Sequence, residues 1–193
     1  RLEKDDEFDA KIKADANIAM YIKGWGARVE YHKALLDLEK YADGDTQDEA
    51  ILDKARQRML AAYLANPRDI DVLIKMYKTE GDKAWRAAVK TQLTSAESVR
   101  LTTIKNYKNA LGKRFPNAVQ TEYEGKLAEA LNNYAWLICN TEGDYQQALK
   151  FSLESLEFRE DSAKLDTCGR CYFALGDLDN AVRVQKRALA LEP

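Results

Sequence analysis

Apolar residues recur every three or four positions along most of this 193-residue chain, which is the spacing of one face of an α-helix. No stretch alternates Val, Ile or Thr with polar residues, so no strand is predicted. We expect an all-α fold of about ten helices, arranged as antiparallel hairpins joined by short turns. Their predicted ranges are 12–23, 29–42, 51–65, 68–80, 82–93, 95–111, 117–140, 145–158, 163–175 and 178–191.

Glycines and capping residues set the predicted breaks between these helices. Gly24-Trp25-Gly26 is interpreted as a turn or as a close helix–helix contact. The run at 43–46, Asp-Gly-Asp-Thr, is a turn whose polar side chains can cap the next helix. Gly81 separates two shorter helices, and Ser95 is placed at the N-cap of the helix that follows it.

The last third of the chain repeats itself at a nearly fixed period. Four positions of the helix 117–140 recur 34 residues later, and four positions of the next turn and helix recur 33 residues later. The difference locates one extra residue in the turn at 140–142. A period in this range is typical of stacked helical repeats. The recurring pairs are Leu131 and Leu165, Tyr134 and Cys168, Ala135 and Gly169, Ile138 and Tyr172, Gly143 and Gly176, Asp144 and Asp177, Ala148 and Ala181, and Ser155 and Ala188.

These positions resemble the tetratricopeptide repeat, a helix-turn-helix unit of about 34 residues. In both copies a small residue, Ala135 or Gly169, stands where close approach of the paired helix is needed. Three positions depart from the family's pattern, because Cys168 replaces Leu, Gln185 an aromatic residue and Glu160 a Pro. The resemblance implies an α-α superhelix of stacked hairpins. Both copies are also similar to bacterial multi-repeat proteins of unassigned role.

We divide the chain by how clearly it shows this repeat. Residues 128–160 and 161–193 are predicted to be two tetratricopeptide-like units, and residues 1–127 to be irregular or degenerate helical hairpins. All belong to one predicted helical-repeat domain, 1–193. The resemblance is suggestive over 49–67, where Ala55, Ala62 and Pro67 keep the spacing of the last unit.

The resemblance implies that the first helix of each unit lines the concave side of the array, where a peptide would bind. The family positions that face this groove hold Glu129, Asn132, Trp136, Cys139, Ala163, Asp166, Arg170 and Phe173. An amide and a guanidinium can bond a peptide backbone or a carboxylate, and aromatic rings supply apolar contact. The candidate binding residues are therefore Asn132, Trp136, Asp166, Arg170 and Phe173.

A purely structural interpretation of these residues stays open. Trp136 could be covered by the long helix that begins at Asn117, and Arg170 could pair with Asp166 across one helical turn. Some family members grip a carboxylate with Asn at two positions that here hold Trp136 and Thr167. The resemblance therefore does not extend to that clamp.

The charge balance narrows the class of partner. The chain has 30 Lys and Arg against 32 Asp and Glu, a formal net charge of −2, and its basic residues are interleaved with acids. This pattern is typical of solvated helix faces and lacks the positive surface of a nucleic-acid-binding protein. No apolar run approaches the ~18 residues of a membrane helix. We expect a protein or peptide partner, with no nucleic acid and no membrane within this sequence.

Two features bear on the cellular context. The chain opens on Arg1 rather than Met and stops on the repeat-ending Pro193, so we expect a fragment of a longer protein whose targeting segment or anchor lies outside it. Three cysteines cannot all pair with one another, which favours a reducing, cytoplasmic environment and excludes little. The localisation stays unknown.

The sequence offers little material for catalysis or metal binding. Cys168 and Cys171 form a C-x-x-C motif, but both fall in the middle of a predicted helix, where packing explains them better than redox chemistry. No second cysteine pair exists to complete a zinc site. His32 is the only histidine and has no nucleophile or acid at a recognisable spacing. We predict no catalytic residue, no metal and no cofactor.

These observations favour a non-catalytic scaffold or adaptor that binds a peptide or protein segment in a concave helical groove. The alternative is a self-association module that uses the last helix as a stacking edge. Terminal repeats normally need a polar cap, whereas this helix carries Val182, Leu189 and Leu191. Either module could be joined to a catalytic or membrane-anchored portion outside this sequence. An enzyme would need a polar pocket with shifted titratable groups, which the sequence does not indicate.

Overall fold

The computed structural model describes residues 16–44, 48–113 and 116–191, with side chains placed from residue 23 onward. Over these residues the chain is all-α and has no strand. Eight helices occupy the described chain: α1 Ala16–Asp43, α2 Glu49–Ala65, α3 Ile70–Lys78, α4 Lys83–Leu111, α5 Asn117–Asn140, α6 Tyr145–Phe158, α7 Ser162–Ala174 and α8 Leu178–Leu191. The predicted helix start at residue 12 and the turn residues 45 and 46 lie outside the described residues.

Contacts between residues divide the chain into two compact units, Arg1–Glu80 and Gly81–Pro193. In the first unit, α1 and α3 both pack on α2. In the second unit, α4 packs on α5, α5 pairs with α6, and α7 pairs with α8 while also contacting α5 and α6. Neighbouring helices thus pack in pairs, which confirms the predicted all-α hairpin class. The predicted repeat boundaries at 128 and 161 fall inside the second unit and stay predictions.

Two predicted breaks are wrong, which is why eight described helices replace about ten predicted ones. α1 runs unbroken through Gly24 and Gly26. A Cβ atom at either glycine would meet nothing within 4 Å, so this motif is neither a turn nor a close helix contact. A helical glycine costs only about 1 kcal/mol relative to Ala, which the packing of a long helix can exceed. α4 likewise continues through Ser95, which lies exposed in the middle of that helix.

Aspartates cap the starts of five of the described helices. Side-chain oxygens accept a hydrogen bond from a backbone N–H of the first turn of α2, α4, α6, α7 and α8, and they belong to Asp48, Asp82, Asp144, Asp161 and Asp177. Each such cap contributes about 0.5–2 kcal/mol to stability. The cap of α2 is therefore Asp48 and not a residue of the predicted turn at 43–46.

The turns that follow α5 and α7 both depend on glycine. Gly143 and Gly176 are the residues with positive φ in the described chain, at 142° and 79°. Residues with a Cβ atom rarely adopt such angles, whereas glycine adopts them readily. The two glycines are also one of the recurring pairs, 33 residues apart. The same backbone requirement therefore recurs in both turns.

Tyr134 lies at the centre of the core of the second unit. Its ring is fully buried and lies edge-on to Phe151, with 5.2 Å between the ring centroids. Its hydroxyl lies 2.7 Å from Gln147 Oε1 on α6 and 3.2 Å from Glu97 Oε1 on α4, so one side chain of α5 connects three helices. Burial and the Glu97 charge raise the pKa of Tyr134, which keeps the hydroxyl protonated as a donor.

Overpacking this core tests the predicted hairpin contacts. Ala148 of α6 is fully buried in the same cluster as Tyr134 and Ala135. We expect Ala148→Leu to lower the free energy of unfolding by ~1–3 kcal/mol, because close-packed helices cannot admit a larger side chain without strain. Urea denaturation measures the change, with Ala190→Leu at an exposed position of α8 as the control. Near-zero changes in both variants would contradict the packing.

Candidate functional site

α5 and α7 run side by side and in the same direction, and they carry all five candidate binding residues. Residue numbers rise together along both helices at the places where their side chains meet. The three contacts are Lys164 Nζ at 3.3 Å from Glu129 Oε1, Cys139 Sγ at 2.7 Å from Cys171 Sγ, and Arg170 Nε donating to Asn140 Oδ1 over 3.1 Å. Contacts at two levels, one near Glu129 and one at Cys139 and Asn140, fix the register of α7 on α5.

Arg170 is the centre of a network at the C-terminal ends of these helices. Besides its bond to Asn140, its guanidinium carbon lies 5.1 Å from the centre of the Phe173 ring. Asn140 Nδ2 in turn donates to the backbone oxygen of Trp136 over 3.0 Å. The Phe173 contact is a cation–π interaction, and together with the Asn140 bond it holds the guanidinium in one orientation. The structure thus links three of the five candidate residues. Arg170 and Phe173 take part through their side chains, and Trp136 takes part through its backbone oxygen.

The aromatic end of this network is accessible. Phe173 is 54% exposed, and Arg170 and Trp136 are half-buried. Trp136 is therefore only partly covered. The alternative pairing of Arg170 with Asp166 does not form, because Asp166 instead accepts a hydrogen bond from Gln185 Nε2 of α8.

Asn132 and Asp166 lie outside the Arg170 network. Asp166 faces α8 through its bond to Gln185. Asn132 is half-buried, and its Oδ1 atom is buried without a hydrogen-bond partner among the described residues.

Two positions differ from what the sequence indicates. Cys139 is expected on the groove side, yet it is only 4% exposed and packs against Cys171. The reason is that α7 approaches α5 closely at this level, so the position faces the neighbouring helix. Asn140 is absent from the predicted residues although it lies one helical turn after Trp136. That i to i+4 spacing is the signal that could have identified it.

All three cysteines are buried, as the packing interpretation of the C-x-x-C motif predicts. Burial raises the pKa of the Cys168 thiol. The contact with Cys139, together with burial, raises the pKa of Cys171. A raised pKa keeps both thiols protonated and poorly nucleophilic.

Other chemistry has little support in the described part of the chain. There, no three His, Cys, Asp or Glu side chains gather closely enough to hold a metal ion. None of the described helices is both long and apolar enough to cross a membrane. His32 is exposed on α1, where its ring lies 5.9 Å from the ring of Tyr31. It belongs to the first unit, whereas the five candidates belong to the second.

An open groove of about 400 Å³ lies between α7 and α8. Its lining residues are Ser162, Ala163, Asp166, Gln185, Ala188 and Leu189. The corresponding positions, 33 or 34 residues earlier, lie on α5 and α6, where α7 covers them. There Glu129 contacts Lys164, and Leu156 packs against the cluster that contains Leu165. α7 therefore fills the groove of the α5–α6 hairpin. The corresponding groove of the α7–α8 hairpin is open, and Leu189 in its wall is 69% exposed.

Comparison with known proteins adds no family to this description. The sequence matches no family model, and no curated protein is significantly similar to it. The resemblance to tetratricopeptide repeats therefore rests on the recurring positions themselves.

Asp161 and Lys164 hold the start of α7 against α5. The Lys164 side chain is 4% exposed, and its ammonium lies 2.7 Å from Asp161 Oδ2 and 3.3 Å from Glu129 Oε1. Burial acts to raise the pKa of Asp161, but hydrogen bonds from the Lys164 ammonium and backbone N–H outweigh it, so this pKa is lowered. Ionised Asp161 therefore stabilises the fold above the ordinary carboxyl pKa, and the stabilisation is lost as pH falls through the lowered value.

We expect Asp161→Ala to lower the free energy of unfolding by about 1–2 kcal/mol at pH 7, because it removes an N-cap and one partner of a buried ammonium. The difference in the free energy of unfolding between wild type and Asp161→Ala should shrink as the pH falls below about 4. The wild-type Asp161 carboxylate then becomes protonated and no longer stabilises the fold. Urea denaturation at neutral and acid pH measures both. Asp144→Ala is the control, since it removes the N-cap of α6 without an ion pair among the described residues. A deficit at Asp161 that did not change with pH would contradict the ion pair.

Proposed function

We propose that this chain is a non-catalytic scaffold that holds a peptide or protein segment against the α5–α7 face. This face is defined by the residues Trp136, Asn140, Arg170 and Phe173, while the candidates Asn132 and Asp166 lie on the same two helices outside it. The observation that carries the proposal is the position of Arg170, held between Asn140 and the exposed ring of Phe173. A cation and an aromatic ring that are fixed together on a helical surface form a typical binding hot spot.

Arg170 supplies the polar part of the α5–α7 face. Asn140 takes its Nε donor, and no described residue accepts a hydrogen bond from its terminal nitrogens. These donors suit a backbone carbonyl or a carboxylate of a bound segment. Because Asn140 and Phe173 already orient the guanidinium, binding costs little side-chain entropy.

Phe173 and Trp136 supply the apolar part. The exposed Phe173 on α7 and the half-buried Trp136 on α5 offer contact area on packed helices. The resemblance to tetratricopeptide repeats supports the same side of the array, since the family's groove-facing positions here hold Trp136, Arg170 and Phe173. The repeat itself remains part of the proposal.

The experiment is a pull-down with the protein in its full-length form, comparing wild type with the double variant Trp136→Ala plus Arg170→Ala. We expect recovery of bound partners to fall about tenfold or more, because each truncation at a hot spot costs at least ~1.4 kcal/mol. Circular dichroism confirms that the variant keeps its helices.

The matched control is Phe158→Ala plus Arg159→Ala, an aromatic and an arginine at the exposed end of α6 that lie outside the α5–α7 face. It should leave recovery unchanged. If every partner survives the Trp136 and Arg170 changes, the α5–α7 face is not the binding surface.

Self-association is the second candidate function, and the open α7–α8 groove favours it. The fold fills the corresponding groove of the preceding hairpin with a helix, α7. A helix from a second copy of the chain could cover the same kind of surface, which includes the exposed Leu189. Burial of such a side chain would contribute about 1.5–3 kcal/mol.

We expect, under this second function, that the mass measured by light scattering rises with protein concentration. Leu189→Glu should abolish the rise, because association would then bury an unpaired carboxylate. Leu153→Glu, at another exposed leucine on α6, is the control and should leave the rise intact. A strict monomer at all concentrations would exclude self-association and leave the scaffold proposal in place.

A further inference from the structure

Trp25 is an exposed aromatic residue that the fold does not explain. Its side chain is 73% exposed in the interior of α1, between Gly24 and Gly26. A Cβ atom at either glycine would meet nothing within 4 Å, and neither glycine has the positive φ that would require it. Glycine weakens a helix relative to alanine, so two of them here lower stability without a packing reason. What Gly24 does provide is a cavity wall without a side chain, since it lines the same cavity as Trp25.

Trp25 lines the wall of a cavity of about 760 Å³ between α1 and the turn that follows α2. The wall is mostly apolar, with Val29 and Pro67 beside the indole. This volume is in the range of pockets that bind small molecules or peptide side chains, which is roughly 300–1,000 Å³. The first unit therefore has room for an apolar group next to an accessible indole.

Three cationic side chains line the same cavity. Lys23, Arg28 and Arg68 line it, and no carboxylate of the described residues does. Arg28 lies 3.2 Å from Asp69, whereas Lys23 and Arg68 have no ion-pair partner in the part of the chain that the structure describes. The carbonyl end of α2 is nearby and offsets part of this positive charge. The balance is still positive, in a chain whose formal net charge is −2.

The charge and the apolar wall together identify the ligand chemistry. Carboxylates would pair with Arg68 and Lys23, and an apolar side chain would enter beside the indole. Three cations are too few for a nucleic-acid backbone, which proteins usually meet with a longer basic surface. We propose that this cavity binds an acidic peptide segment that carries one apolar or aromatic side chain. The site belongs to the first unit and is independent of the α5–α7 face.

The test uses the whole chain and a fluorescein-labelled peptide in which glutamates surround one phenylalanine. Fluorescence anisotropy should show saturable binding that weakens with added salt. Trp25→Ala, and separately Lys23→Ala plus Arg68→Ala, should each weaken binding about tenfold or more. The same peptide with glutamine in place of glutamate, or alanine in place of phenylalanine, should bind as weakly as these variants do.

The glycines allow a second measurement. Its expected result would not be seen if these residues had only a structural role. Gly24→Ala, which adds a methyl group to the wall of the cavity, should raise the melting temperature, since alanine favours helix, and yet weaken peptide binding about threefold or more. Gly125→Ala is the matched control, because Gly125 is also helical and a Cβ atom there would likewise meet nothing within 4 Å. It should raise the melting temperature and leave peptide binding unchanged.

Four results would overturn the proposal. They are absence of saturable binding by the wild-type chain, unchanged binding by Trp25→Ala, tighter binding of a single-stranded oligonucleotide through the same residues, and loss of peptide binding in the Trp136→Ala plus Arg170→Ala variant. The last result would assign the peptide to the α5–α7 face. Retained peptide binding in that variant supports a separate site, whatever the pull-down shows for the α5–α7 face.

Discussion

Burial of α7 in the groove between α5 and α6 is the contact on which the second unit depends. It puts Lys164 beside Glu129, seals two of the cysteines between the helices and turns Arg170 toward Asn140. Because these contacts share one interface, a shift of α7 by one helical turn would break all of them. The α5–α7 face is therefore supported by packed helices rather than by a loop, and rigid support of this kind is what precise binding needs.

Much of the second unit can be predicted from the sequence because its local signals agree. α5, α6 and α8 begin and end at the predicted residues, and α7 differs by one residue at each end. At these helix ends, a turn residue, an aspartate cap or a change in apolar spacing marks the boundary at which the helix in the structure begins or ends. In α1 and α4 the signals conflict with packing. Gly24, Gly26 and Ser95 indicate breaks, yet contacts with α2 and α5 carry the helices through, because a local preference of about 1 kcal/mol is overridden by tertiary contacts.

The binding surfaces are less predictable than the helices. Helical periodicity shows which residues share one face of one helix, and the resemblance to tetratricopeptide repeats is what groups Trp136 with Arg170 and Phe173. It does not show how closely two helices approach, because that depends on their crossing angle and on the size of the residues between them. For this reason Cys139 is buried where exposure is expected, and Asn140 is missed. At Trp25 the interpretation of the flanking glycines as a turn hides an exposed indole on a continuous helix.

The buried ammonium of Lys164 limits how such a chain could be lengthened by duplication. A tandem copy of residues 161–193 would bring a second helix like α7 to the open α7–α8 groove, with its own lysine and capping aspartate. The position that corresponds to Glu129 is Ala163, which carries no carboxylate. The added lysine would be buried with one acidic partner instead of two, and burying an incompletely paired charge is costly. A duplicated unit would need an acidic side chain at position 163 before it could stack as α7 does.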